Sequence, residues 1–397
     1  MIKVGIIFGG DSVEHEVSII TAVQAMEFLN KKKYEVVPIY IDKERNWYTG
    51  IELTKMETFK DMGELKNTFP KVTLTKKDNE FVLMKTKGLF NKVVDTIDVA
   101  FPIVHGKGVE DGSLAGYLDT LGIPYVGCDM LGASIGQDKV VQKQVMQVEG
   151  IPVANYVWFY ESEYLTKKEE ILSKINKLGY PVIVKPARLG SSIGINFVKK
   201  ARDIEMALEE AFSYDEKVIV EETIENLLEV DCAVYGNHEI METSLIGEMI
   251  TNNEFLTFED KYLNGGGKKG PSKKMSGSVA TSGFKIPAEL DKKVEKEIYD
   301  LSKKAFRALN LKGITRFDFL INKETKQVYV NEPNTIPGCL AFFFFTPKDI
   351  SYEKLLDNVI TLAIKDFKVN KKKVSSFESN VLSTYNGSKG AKGKMSS

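Results

Sequence analysis

The sequence predicts an α/β fold over roughly its first third and an α+β arrangement after it, on three observations. Residues 3 to 8 form a β-branched apolar run that stops at Gly9-Gly10, an amphipathic stretch from Val17 to about Asn30 follows, and a second apolar run fills Val36 to Ile41. This is a βαβ opening. Ile97 to Val104 reads as a further buried strand ending at His105-Gly106, so a parallel sheet flanked by helices is expected here. Tyr180 to Lys185 then reads as a strand with Ile193 to Val198 as its hairpin partner, which marks a second, α+β unit.

Between and beyond these landmarks, Gly112 to Leu121 predicts a short helix and Pro124-Tyr125-Val126 a strand, while Leu131 to Val148 has helical periodicity. Alternating strands follow Val218-Ile219-Val220-Glu221. A lysine- and glycine-rich loop from about Leu263 to Gly283 is too polar for a core, and a long helix is expected over Ala288 to Leu309. Strands are expected at Ile314 to Ile321 and Val328 to Glu332. From about Lys368 the chain turns polar and basic and predicts a loosely docked tail.

Composition narrows the partners. With 397 residues, 43% of them hydrophobic, the chain can bury two or three cores without crosslinks. Lys and Arg number 54 against 55 Asp and Glu, a net charge of -1 that provides no field for a polyanion, so nucleic acid is not expected. Cys128, Cys232 and Cys339 are odd in number and widely spaced, as for reduced thiols. The opening apolar run is too short for a signal peptide and no 18-residue apolar run occurs, so the expected location is the cytoplasm and no membrane partner is expected.

Three motifs carry chemistry. In Val184-Lys185-Pro186-Ala187-Arg188-Leu189-Gly190-Ser191-Ser192-Ile193-Gly194, a strand delivers a lysine beside a loop of small residues whose N–H groups and hydroxyls can donate to phosphate oxygens. A polar hairpin with an exposed lysine is the alternative. In Arg316-Phe317-Asp318-Phe319 and Asn331-Glu332-Pro333-Asn334, the two-residue period puts Arg316 and Asp318 on one face of their strand, and Glu332 and Asn334 share a face of theirs for the same reason. If the strands pair, Asp318, Glu332 and Asn334 offer only oxygen ligands, suited to Mg²⁺ carried by phosphates, the alternative being a solvated strand face. In Gly9-Gly10-Asp11-Ser12-Val13-Glu14-His15, a strand gives way to a helix. Asp11 or Ser12 is expected to cap it, and Glu14 stands where it can bind an ammonium.

These motifs, in this order, resemble those of the D-alanine–D-alanine ligases, from about Ile2 to Lys365. His105-Gly106-Lys107-Gly108-Val109-Glu110-Asp111-Gly112, Gln137-Asp138-Lys139, Val220-Glu221-Glu222, Phe258-Glu259-Asp260-Lys261-Tyr262 and Asn334-Thr335-Ile336-Pro337-Gly338 extend the resemblance. It implies a three-domain ATP-grasp architecture. The implied division is an N-terminal Rossmann-like domain over 1–127, a central subdomain over 128–221, a C-terminal subdomain over 222–367 with a lid at about 263–283, and a tail over 368–397. By resemblance, Glu14 binds the ammonium of the first D-alanine, and Ser191 and Tyr262 link it to the lid. Lys139, Lys185 and the Ser192 loop hold ATP phosphates with Lys261 nearby, and Glu221, Glu222, Ile224 and Glu229 line the adenine and ribose site. Arg316 and the Gly338 N–H face the oxyanion, while Asp318, Glu332 and Asn334 hold two Mg²⁺, or Mn²⁺ in their place. The family also suggests a homodimer.

The resemblance departs after Gly338, where Cys339-Leu340-Ala341-Phe342-Phe343-Phe344-Phe345 places a phenyl ring at position 343 instead of the family's serine hydroxyl. Either the second-substrate pocket is more apolar, or these rings pack in a core. The run Asn264-Gly265-Gly266-Gly267-Lys268-Lys269-Gly270 is a second departure, within the lid. Two other readings stand beside a D-alanine–D-alanine ligase. One is an ATP-grasp ligase with another acceptor or substrate pair, and the other is a nucleotide-binding paralogue without activity.

Overall fold

The computed structural model describes residues 1–86, 92–106, 108–190, 192–250, 283–376 and 380–384. Strand β1 (Ile2–Gly9) pairs in parallel with β2 (Tyr34–Ile41). The sheet continues antiparallel through β3 (Trp47–Thr49), β4 (Lys71–Lys77), β5 (Glu80–Lys85) and β6 (Val93–Ile97), and β7 (Val99–Pro102) lies parallel to β1 on its other side. The parallel plan predicted from the βαβ opening thus holds for three of seven strands. The run expected as one strand over Ile97 to Val104 is divided at Asp98 without reversing direction: Ile97 closes β6, which pairs with β5, and Val99 opens β7, which pairs with β1. Tyr125 makes only an isolated bridge to Ala100 in place of the expected strand.

Helix α1 (His15–Phe28) crosses from β1 to β2. The turn before it needs glycine at position 9, where φ is +92° and a Cβ would lie 2.2 Å from the Ile41 carbonyl oxygen. Neither Asp11 nor Ser12 occupies the N-cap. Glu14 does, without a side-chain capping bond, while the Ser12 hydroxyl accepts from the Glu14 N–H at 3.1 Å and Asp11 pairs with Arg45 at 3.0 Å. Helices α2 (Met62–Thr68) and α3 (Ser113–Leu121) complete this region.

The helical stretch expected over Leu131 to Val148 is two helices, α4 (Met130–Gln137) and α5 (Lys139–Val148). The break is at Asp138, whose carboxylate accepts from the N–H groups of Val140 and Val141 at 3.0 and 3.1 Å and so caps α5. A second sheet contains β8 (Tyr156–Tyr160), β9 (Val182–Pro186), β10 (Asn196–Val198) and β11 (Lys217–Glu222), all antiparallel in the order β10-β9-β11-β8. Val182, Val184, Val218 and Val220 face a core closed by α6 (Glu161–Leu178) and α7 (Ile204–Phe212). By the two-residue period Lys185, Ile219 and Glu221 fall on the other face.

The third sheet holds β12 (Leu227–Gly236), β13 (Met241–Met249), β14 (Phe284–Lys285), β15 (Gly313–Asn322) and β16 (Val328–Asn334), in the order β14-β13-β12-β15-β16. Helix α8 (Lys292–Ala308) buries Ile298 and Phe306 against Phe317 and Phe319 of β15, each ring contributing about 2–3 kcal/mol. That burial fixes which face of β15 is left for Arg316 and Asp318. The chain then turns through α9 (Phe342–Phe345) into α10 (Tyr352–Asn370), and these pack back onto β1 and α1 in one core. The phenylalanine run is therefore packing. Phe343, Phe344 and Phe345 are buried, and Phe342 stacks on Tyr352 with centroids 4.3 Å apart.

Candidate active site

Strands β15 and β16 pair with Arg316 opposite Asn334 and Asp318 opposite Glu332, so all four predicted side chains meet on one face. Arg316 grips Asp318 through two bonds, Nε to Oδ1 at 2.8 Å and Nη2 to Oδ2 at 3.0 Å, and Asn334 Nδ2 donates to Asp318 Oδ1 at 3.0 Å. Across on β12, buried Asp231 stands opposite Asp318 and its Oδ2 is 3.1 Å from Arg316 Nε. Glu332 is held by Lys139, at 3.3 Å, from the first turn of α5.

The second sheet contributes a buried ion cluster. Lys185 Nζ is 2.7 Å from Glu221 Oε2, and Lys143 Nζ lies 3.1 Å from Glu221 Oε1 and donates to the Asn331 carbonyl at 3.0 Å. Burial alone would raise the Glu221 carboxyl, but Lys143 and Lys185 outweigh it and hold it at about 2. Burial likewise pulls Lys185 down, and Glu221 and Glu332 more than reverse that, leaving it raised. For Lys143, burial wins and the ammonium is lowered. Lys139 also donates to the Leu189 carbonyl at 2.7 Å, tying α5 to the glycine-containing loop.

That loop meets the first strand-to-helix turn. A Cβ on Gly190 would come within 2.9 Å of Glu14 Oε2, so glycine is what lets the loop approach the carboxylate. Glu14 is buried, and Glu110 is close enough to feel it: burial, then the Glu14 charge, pushes the Glu110 carboxyl up to about 8. Glu110 accepts from the Gly106 N–H at 2.6 Å. Buried His105 is held down at about 4 by its burial, and its Nε2 is 3.3 Å from Thr21 Oγ1. The same hydroxyl accepts from the Cys339 N–H at 3.2 Å, which docks the turn beginning at Gly338 onto α1.

The structure therefore brings Lys139, Lys185, Glu221, Arg316, Asp318, Glu332 and Asn334 into one connected charge network, with Glu14 beside the loop that Lys139 anchors. Glu229 belongs to its rim, its charge adding to those that raise Lys185. Ser192 lies in the loop with φ +58°, and Ile224 is half-buried just past β11. The Glu222 side chain is not brought together with the rest. It follows Glu221 on the strand, points to the other face and accepts from Asn155 N and Nδ2 at 2.8 and 2.9 Å. Ser191, Lys261, Tyr262 and the lid loop up to residue 282 lie outside the described residues. Lys143, Asp231 and the pairing of Glu110 with Glu14 had no role in the sequence reading. Only Glu110, inside a quoted glycine-rich motif, carried a signal.

Among the described residues no three His, Cys, Asp or Glu side chains converge as a protein-only metal cage. Two carboxylates and one amide on paired strands supply a partial oxygen set, which fits Mg²⁺ arriving with substrate phosphates better than a resident ion. Arg316 and Lys139 here hold the carboxylates such an ion would take. No helix among the described residues is long and apolar enough to cross a membrane.

Comparison with known proteins gives the same picture over nearly the whole chain. Residues 3–128 match the family model described as D-ala D-ala ligase N-terminus, and residues 145–361 the one described as D-ala D-ala ligase C-terminus. The D-alanine–D-alanine ligase of Thermosipho melanesiensis is 39% identical over 384 residues, covering 96% of this chain and 98% of its own length. That of Caldicellulosiruptor bescii is 39% identical over 380 residues, covering 92% and 95%. Among solved structures, the D-alanine–D-alanine ligase of Coxiella burnetii superposes with a TM-score of 0.76 at 26% identity, covering 94% of this chain and 96% of that one. The VanG D-Ala:D-Ser ligase of Enterococcus faecalis gives 0.75 at 29% identity, covering 91% and 99%. The Bacillus anthracis D-alanine–D-alanine ligase complexed with ATP gives 0.64 at 25% identity, covering 93% and 100%. With paired strands that gather its charged residues and relatives matched over nearly all of its length, this chain belongs to the D-alanine–D-alanine ligase family.

Proposed function

We propose that the chain is an ATP-dependent, ADP-forming ligase that joins two D-alanine molecules through an acyl phosphate, for peptidoglycan precursor synthesis in the cytoplasm. The single observation that carries this is the β15/β16 register, which sets an arginine and three oxygen-bearing side chains on one face beside buried lysines. A carboxylate and the ATP γ-phosphate repel each other by roughly 4 kcal/mol per unit-charge pair at about 4 Å and an effective dielectric of about 20. Lys139 and Lys185 offset that repulsion by turning from their carboxylate partners to phosphate oxygens, and Arg316, turning from Asp318, adds its charge only as the phosphoryl group transfers. Asp318, Glu332 and Asn334 would hold two Mg²⁺, which neutralise phosphate charge when bound. Glu14 orients the first D-alanine through its ammonium, with Ser191 and Tyr262 closing the contact to the lid. Glu221, Ile224 and Glu229 line the nucleotide's base and sugar end, and Glu222 joins them through its backbone.

The acyl phosphate hydrolyses if water reaches it, so the segment over 263–283 serves as its cover. The amine of the second D-alanine attacks the acyl carbon, Arg316 and the Gly338 N–H stabilise the oxyanion, and phosphate leaves. A homodimer is the proposed assembly. A second reading, in which the acceptor is D-serine, D-lactate or another amino acid, is favoured by one observation: position 343 carries a buried ring packed on Phe284 and Phe344, with no hydroxyl for the acceptor carboxylate. Phosphate release from Mg²⁺-ATP with D-alanine alone, then with D-alanine plus each alternative acceptor, tests both. D-Alanyl-D-alanine as product is the expected result. Turnover only with another acceptor replaces it with the second reading, and no substrate-dependent release removes both.

A further inference from the structure

Lys143 is the most deeply buried cation described, 1% exposed, and it sits one helical turn beyond Lys139 on α5. The i, i+4 spacing sends both lysines to consecutive residues of β16: Lys143 to the Asn331 carbonyl, Lys139 to the Glu332 carboxylate. Lys143 also takes one oxygen of Glu221, while Lys185 takes the other. Glu221 is itself only 1% exposed, so it carries a charge that water does not reach. Lys185 lies on a strand beside the glycine-containing loop, where the ligase reading gives it a phosphate as an alternative to Glu221. Lys143 has no such choice, because its ammonium is enclosed by Glu221 and the β16 backbone.

We propose that Lys143 is a positioning residue for the ligase reaction: the permanent counter-charge of Glu221, which lets Lys185 leave that carboxylate for the nucleotide without stranding a buried anion. The inference rests on the ligase reading and adds to it a residue that never touches substrate. Without Lys143, Glu221 has Lys185 alone, and each binding event breaks the last ion pair of a buried charge. The penalty falls on nucleotide binding and not on the chemical step. It also disappears if Glu221 carries no charge.

The test is calorimetric titration of the full chain with a non-hydrolysable ATP analogue, with and without Mg²⁺, for wild type, Lys143→Met, Lys143→Arg, Glu221→Gln and the Lys143→Met/Glu221→Gln pair. Lys143→Met is expected to weaken analogue binding at least about tenfold and to raise KM for ATP by a similar factor, with kcat changed roughly threefold or less. Lys143→Arg is expected to stay near wild type, and the double variant to bind roughly as Glu221→Gln does. Wild-type affinity in Lys143→Met, or a double variant as weak as Lys143→Met, overturns the inference. If Lys143→Met yields no folded protein, the Glu221→Gln background decides. There, adding Lys143→Met is expected to raise the melting temperature and leave affinity unchanged, and a fall in either overturns the proposal. A wild-type chain that binds no analogue overturns the ligase reading first, and this inference with it.

Discussion

The face formed by β15, β16 and α5, with β9 and β11 beside it, and the turn after β1 treat charge differently. On the first, carboxylates meet cations within 3.3 Å: Asp318 with Arg316, Glu332 with Lys139, Glu221 with Lys143 and Lys185. In the second, two carboxylates approach each other, and burial together with Glu14 keeps a proton on Glu110 up to about pH 8. The difference teaches how each region receives a ligand. In the proposed reaction the paired face admits phosphate and metal by exchanging partners, so little charge enters or leaves in net terms. Beside Glu14, where burial and a like charge raise Glu110, an added cation is favoured, which in the proposed reaction suits an amino acid's ammonium.

The largest expected effect breaks the paired face. Arg316→Ala should lower kcat by roughly 10²–10³-fold while ATP affinity changes by less than about threefold, read from steady-state kinetics and analogue titration. Equal losses in both would make Arg316 a nucleotide ligand instead.

A middle-sized effect separates the regions by pH. The Glu110 carboxyl is raised in the fold above its unfolded value near 4.5, so its stabilising contribution is complete at low pH and is lost as pH rises through about 8. Ligand-free protein should lose about 2 kcal/mol between pH 6.5 and 8 from this source, and Glu110→Gln should abolish the loss in denaturant titrations. His105 runs the other way: lowered to about 4, it favours the fold above about pH 6.5 and surrenders that as pH falls through 4. A stability curve unchanged by Glu110→Gln would mean the two carboxylates do not interact.

The smallest effect concerns the cap that aims the α5 lysines. Asp138→Ala removes the one carboxylate oxygen that accepts from two N–H groups, together with the 2.8 Å partner of Lys217, and should cost about 1 kcal/mol in thermal unfolding while raising KM for ATP modestly. Unchanged stability would show that α5 is held by its packing alone.

Much of this was legible in the sequence because the two-residue period of a strand is rigid. Once β15 and β16 are recognised, Arg316, Asp318, Glu332 and Asn334 must share a face, and the apolar Phe317 and Phe319 between them say which face is core. The same period went unused at Glu221 and Glu222, which look alike in the sequence and point to opposite sides of β11. The break at Asp138 was hidden because apolar residues keep helical spacing on both sides of it; only the capping chemistry of the aspartate marks it. Lys143 was invisible for a different reason. A lysine in a helix reads as a solvated charge, and its partners lie 78 and 188 residues away, on two other sheets. The Asn331 carbonyl and the Glu221 carboxylate decide its role, and neither is local.

The packing of α9 and α10 onto β1 and α1 has a consequence for how the polypeptide is made. Val4, Phe8, Ile19 and Ala22 share one core with Phe344, Leu356 and Ile360, so a segment made early completes its interior only with one made much later. During synthesis the part of α1 that later meets this segment, Phe28 against Phe342 and Tyr352, waits for some three hundred residues of chain. A fragment ending near residue 127 would keep that part exposed permanently, and the region that resembles an independent nucleotide-type domain is, in its physical make-up, half of a clasp.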